Sequence, residues 1–101
     1  MKQLVAAILM GLASQGVWAN AELAKKNNCL ACHGVDKKIV GPAYQDVAKK
    51  YAGQADAQAT VTQNIKAGGS GKWGPIPMPP QTQLSDADAK ALAVWVLGGA
   101  K

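Results

Sequence analysis

A chain of 101 residues with two cysteines, one histidine and no phenylalanine has room for one domain and little bulk to fill it. Its eleven basic residues are all lysine and face six acids, a formal charge of +5; the lack of arginine argues against nucleic-acid binding, where guanidinium forks read phosphates and guanine edges. Aromatic residues make up only 5% and many apolar positions are alanine, so the core needs an apolar centre beyond its own side chains.

Met1-Lys2-Gln3 carries one positive charge, and Leu4 to Leu12 is apolar apart from Gly11. Ala13 to Ala19 follows, ending Val17-Trp18-Ala19, with short side chains three and one residues before a cut. This order is that of a secretory signal peptide, residues 1–19. The apolar run falls short of the about 20 residues that span a bilayer. Cleavage after Ala19 leaves a single domain, residues 20–101; cleavage after Ala21 would shorten its first helix.

The first predicted helix, Glu22 to Leu30, places Leu23, Asn27 and Leu30 on one face and runs into Cys29-Leu30-Ala31-Cys32-His33. In C-x-x-C-H, two thiols one turn apart can add across the two vinyl groups of a haem, which sets the adjacent imidazole under the iron. A structural zinc needs a fourth ligand that Cys and His do not supply here. A thioredoxin-type pair needs a strand and crossover around it, and no β-branched alternating run occurs. A disulfide between thiols this close restrains the unfolded chain little. Covalent haem attachment through Cys29 and Cys32, with His33 as axial iron ligand, is the reading that remains.

Pro42 suits the entry to a second helix, Ala43 to Ala52, with the stripe Tyr44, Val47, Ala48, Tyr51 and Gly53 as its stop. A third, Asp56 to Ala67, sets Ala57, Val61 and Ile65 four apart and ends at Gly68-Gly69-Ser70-Gly71. Lys72 to Gln83 cannot be helix: Pro75, Pro77, Pro79 and Pro80 remove donors and restrict their predecessors. Met78 is the one methionine left after the leader, and these prolines pin it; its soft thioether suits a low-spin haem iron as second axial ligand. The fourth helix opens on Ser85 as N-cap with Asp86 and Asp88 in its first turn. It turns Leu92, Trp95 and Val96 inward and stops at Gly98-Gly99. The fold class is therefore all-α, roughly four helices around one haem.

Asn28-Cys29-Leu30-Ala31-Cys32-His33, Val40-Gly41-Pro42-Ala43-Tyr44, Trp73-Gly74-Pro75-Ile76-Pro77-Met78-Pro79-Pro80 and Leu92-Ala93-Val94-Trp95-Val96-Leu97 closely resemble the small bacterial class I c-type cytochromes of the c-551/c-552 type. The likeness covers essentially all of residues 20–101. It implies a helical fold around one haem c and electron transfer in the periplasm between respiratory partners. Those would be a quinol-oxidising complex and a terminal oxidase, nitrite reductase or peroxidase. It also implies a hydrogen bond from the His33 imidazole to the Pro42 carbonyl and one from the Trp73 indole to a haem propionate. Two positions depart from the common pattern: Gln81 where many members carry Asn near the sulfur, and Asn64 where members often carry a cation near the inner propionate.

Two protein ligands on the iron leave no site for substrate, so the chain reads as a monomeric electron carrier with transient redox partners rather than an enzyme. A peroxidase-like or high-spin haem protein would need an open distal face with a catalytic His or Arg, and neither is left over. The alternative is a cytochrome subunit docked permanently in a larger redox complex.

Overall fold

The computed structural model describes residues 20–101, so the predicted leader lies outside the described residues. Residues 20–26 form α1. A 3₁₀ turn, Cys29–Ala31, leads on to α2 (Tyr44–Tyr51), α3 (Ala57–Ala67) and α4 (Asp86–Leu97). Among the described residues, β pairing is confined to two isolated antiparallel bridges, His33 with Lys38 and Gly69 with Met78. The all-α class and the four helices are as expected.

The widest boundary difference from the sequence reading lies at the end of the first helix. The first helix was expected to reach Leu30, but it stops at residue 26. Asn28 sits in the left-handed region at φ 61°, a conformation that Asn tolerates better than most residues. Cys29 therefore opens, and Cys32 closes, a separate 3₁₀ turn beyond α1.

Ala43, just before α2, offers no capping side chain. The first amides of α2 instead find loop carbonyls: Tyr44 N–H donates to Gly34 O at 2.9 Å and Gln45 N–H to Val35 O at 3.0 Å. These bonds satisfy donors that every helix start leaves orphaned, and they seat α2 on the segment that follows His33. Tyr44, Val47 and Tyr51 are buried, while Ala48 of the expected stripe is half-buried. α3 begins one residue later than expected, because Asp56 stands outside it without making a capping bond.

α4 starts as its residues dictate, with Ser85 Oγ accepting from Asp88 N–H at 3.1 Å. Its buried face is Ala89, Leu92, Ala93, Trp95 and Val96. Both α2 and α3 pack on it, α3 more extensively, and Lys66 of α3 pairs with Asp86 at its start. The core is thin. Ala24, Ala43, Ala57, Ala89 and Ala93 are among its members, and no large side chain in the described residues is fully buried.

Candidate functional site

The C-x-x-C-H segment is wound on its own backbone: His33 N–H donates to Cys29 O at 3.0 Å and Cys32 N–H to the same carbonyl at 3.3 Å. Both thiols are free, Cys29 half-buried and Cys32 exposed. Burial pushes the Cys29 thiol up, against a hydrogen bond with Tyr44 that lowers it. The following loop folds back over the segment, with Val40 and Gly41 N–H both donating to Cys32 O, at 3.1 and 2.8 Å.

That fold-back fixes His33. Its Nδ1 lies 2.8 Å from the Pro42 carbonyl oxygen. A carbonyl only accepts, so Nδ1 carries the proton, and in the neutral ring Nε2 keeps the lone pair that a metal takes. The ring stacks on Tyr44 with centroids 5.2 Å apart and 22° between planes, and Tyr44 meets Trp95 edge-on at 5.3 Å. Gly41 passes close to the ring: a Cβ there would collide with the imidazole, 2.9 Å from Nδ1.

Met78 is held by backbone rather than by packing. Its N–H donates to Gly69 O at 2.8 Å, and Gly69 N–H returns to Met78 O at 3.0 Å. Gly68 makes room for this bridge. A Cβ at Gly68 would press on the Met78–Pro80 backbone, 2.7 Å from Pro80 N, and its φ of 67° is itself a glycine conformation.

Trp73 is 37% exposed, and among the described residues its indole N–H has no protein acceptor. The Lys50 ammonium lies 4.5 Å from its ring centroid. Beside it, Lys72 Nζ donates to Asn64 Oδ1 at 3.3 Å, and Asn64 Nδ2 reaches Tyr51 Oη at 3.5 Å. Asn64 brings no cation of its own, but it recruits one. Gln81 directs its amide N–H at Pro79 O, 3.0 Å away. The close approaches at Gly41 and Gly68 and the Tyr44 stack were not read from the sequence. An open cavity of about 550 Å³, lined by Thr62, Gln63, Lys66, Ala67 and Asp86, lies elsewhere and contains none of these residues.

The donor set fits a covalently bound haem: two free thiols, an imidazole with Nε2 unprotonated, and a thioether on an anchored loop. Leu30, Val35, Val40 and Ile76 add apolar surface that the protein itself leaves exposed.

The family model for cytochrome c matches residues 19–99. The chain is 61% identical over 79 residues to cytochrome c-552 of Nitrosomonas europaea, covering 78% of this chain and 77% of that one. To cytochrome c-552 of Hydrogenobacter thermophilus it is 53% identical over 97 residues, 96% of this chain and 97% of the relative. The crystal structure of wild-type Nitrosomonas europaea cytochrome c552 superposes with a TM-score of 0.75 at 60% identity, covering 77% of this chain and 96% of that one. With matches across nearly its whole length, the chain belongs to the cytochrome c family, as a small c-551/c-552-type carrier of electrons on one covalently attached haem c.

Proposed function

We propose that this chain is a periplasmic single-electron carrier, exported by residues 1–19 and working as a monomer of residues 20–101. Cys29 and Cys32 form the thioethers, His33 and Met78 are the axial ligands, and Pro42 and Trp73 contact the bound group. Its partners are transient: a quinol-oxidising complex as donor, and a terminal oxidase, nitrite reductase or peroxidase as acceptor. The observation that carries this reading is the His33 Nδ1–Pro42 O bond of 2.8 Å. It sets the tautomer and the ring plane, and it leaves Nε2 as the only nitrogen able to ligate.

The bound haem supplies a one-electron ferric–ferrous couple. The protein supplies constancy. His33 cannot rotate without losing the Pro42 bond and the Tyr44 stack. Met78 cannot leave its place without opening the Gly69 bridge. Two fixed ligands deny entry to substrate, which favours transfer over catalysis, and a His/Met pair raises the potential. The free Trp73 indole N–H and the nearby Lys50 and Lys72 favour a carboxylate on that side.

Met78→Ala tests the reading. It is expected to keep haem attached, lose the far-red sulfur-to-iron band of the oxidised protein, lower the potential, and bind cyanide faster. An unchanged band and potential would assign the sixth position to another residue.

A further inference from the structure

Three amide side chains connect α1 to the loop that carries Met78. Asn27 Nδ2 donates to Leu23 O at 2.9 Å. Gln83 Nε2 donates both to Asn27 Oδ1 at 3.1 Å and to Gln81 Oε1 at 2.8 Å. Gln81 Nε2 donates to Pro79 O at 3.0 Å, next to the methionine. A primary amide has two N–H groups on one side and a carbonyl on the other. Gln83 uses its nitrogen on two carbonyls; Asn27 and Gln81 face it with oxygen because their own nitrogens are committed to the backbone. Turning over Asn27 or Gln81 would set nitrogen against nitrogen and break its bond to Leu23 or Pro79. The donors therefore point outward from Gln83 along both arms, and the Gln83–Asn27 bond joins residues 56 positions apart.

The loop needs donors from outside. Four of the residues 75–80 are proline, so only Ile76 and Met78 own an N–H there, and that of Met78 is used on Gly69 O. Its carbonyls are plentiful, and the Pro79 carbonyl is met by Gln81. Backbone bonds hold the inner side of the loop through Gly69, and Gln81 N–H adds a bond to Ile65 O at 3.2 Å. On the outer side the amide run is the tie to α1.

We propose that Asn27, Gln83 and Gln81 are positioning residues that brace the Met78 loop against α1 and slow its local opening. The inference rests on the reading of Met78 as distal ligand. A neutral thioether is the ligand most easily lost, and it is lost when its loop opens. The three bonds made by Gln81 and Gln83 are exposed, so water competes for them and the brace acts on opening rates more than on global stability.

The test uses the haem-loaded protein carrying Gln83→Ala or Gln83→Glu. Three quantities are read: hydrogen exchange at the Gly69 and Met78 amides, exchange at Trp95 and Val96 in α4, and the rate of cyanide binding to the oxidised form. Gln83→Ala should speed the Gly69 and Met78 amides and cyanide entry by about three- to tenfold, leaving α4 exchange unchanged. Gln83→Glu should loosen the loop at neutral pH, where its carboxylate opposes two oxygens. Below about pH 4.3 it should tighten again, as a protonated acid regains one donor. Unchanged loop exchange and cyanide entry in Gln83→Ala would overturn the brace, and so would equal acceleration of loop and α4 amides. Failure of the ligand reading is seen separately: Met78→Ala would then keep the far-red band, whatever Gln83→Ala does to exchange.

Discussion

His33 is held by three neighbours with different demands. The Pro42 carbonyl accepts the hydrogen bond of its Nδ1–H, Tyr44 takes one face, and Gly41 leaves room at the edge. Burial pushes the Tyr44 hydroxyl well above the usual phenol range, with the nearby Cys29 adding to the effect, so the stacking ring stays neutral. Gly41 is the least forgiving of the three, because a methyl there would overlap the imidazole itself rather than a flexible tip. Gly41→Ala is therefore expected to cost about 1–3 kcal/mol in guanidinium unfolding of the haem-loaded protein, with a shifted potential as the ring tilts. Retention of both midpoint and potential would mean that the 34–41 loop moves aside freely. Lys72 and Asn64 show a softer kind of dependence. The neutral amide at 64 draws a lysine from the next loop, so a positive charge stands beside position 64 although the residue itself is neutral.

At the scale of elements, the site is a set of helix ends. The start of α2 is capped by carbonyls of the loop after His33, and the end of α3 is tied to the backbone of Met78. Gly68 joins the second pair at φ 67° and ψ −165°, a region that is essentially glycine's own. Gly68→Ala should cost about 1–3 kcal/mol from strain alone and should also loosen Met78. The check is the temperature at which the far-red band disappears relative to global unfolding: it should fall further than the unfolding midpoint. If both fall together, Gly68 supports the whole fold and not the loop. α4 was legible in the sequence because Ser85, the two early aspartates, the apolar face and the closing glycines all agree. The C-x-x-C-H motif and the proline-pinned methionine were legible because their chemistry is local. The end of α1 was not, since Glu22 to Leu30 keeps a helical composition and the break is one backbone choice at Asn28. The roles of Gly41 and Gly68 were hidden for another reason. Each is a close approach to a segment that only the tertiary fold brings near, as is the contact of Asn27 with Gln83.

For the molecule as a whole, surface matters as much as core. Leu30, Val35, Ile39, Val40 and Ile76 are exposed, the last at 64%, and all but Ile76 lie in the short stretch around the cysteines and His33. Lys25, Lys26, Lys37, Lys38 and Lys72 are exposed in or beside the same segments. Lys90 and Lys101 stand apart, on α4 and at the C-terminus. An electron carrier must meet its partner quickly and leave quickly, which calls for a small contact with apolar groups at its centre and charge at its rim. Lysines at such a rim guide the encounter over a range set by the ionic atmosphere, about 30 Å at 0.01 M salt and about 3 Å at 1 M. Second-order transfer to an acidic redox protein, followed by stopped flow, should therefore slow by about tenfold across that range. Lys37→Glu and Lys26→Glu should slow it at low salt more than Lys90→Glu or Lys101→Glu. At 1 M salt all four variants should converge on one rate, because the apolar centre is common to them. Rates indifferent to both salt and charge reversal would leave the apolar surface as the sole docking determinant and the lysines as solvation. The outcome is not decided by net charge, since the formal +5 of the full chain is small, Lys2 of the leader accounts for one of those charges, and two haem carboxylates offset part of the rest. It depends on where the lysines stand, and the variants separate position from number.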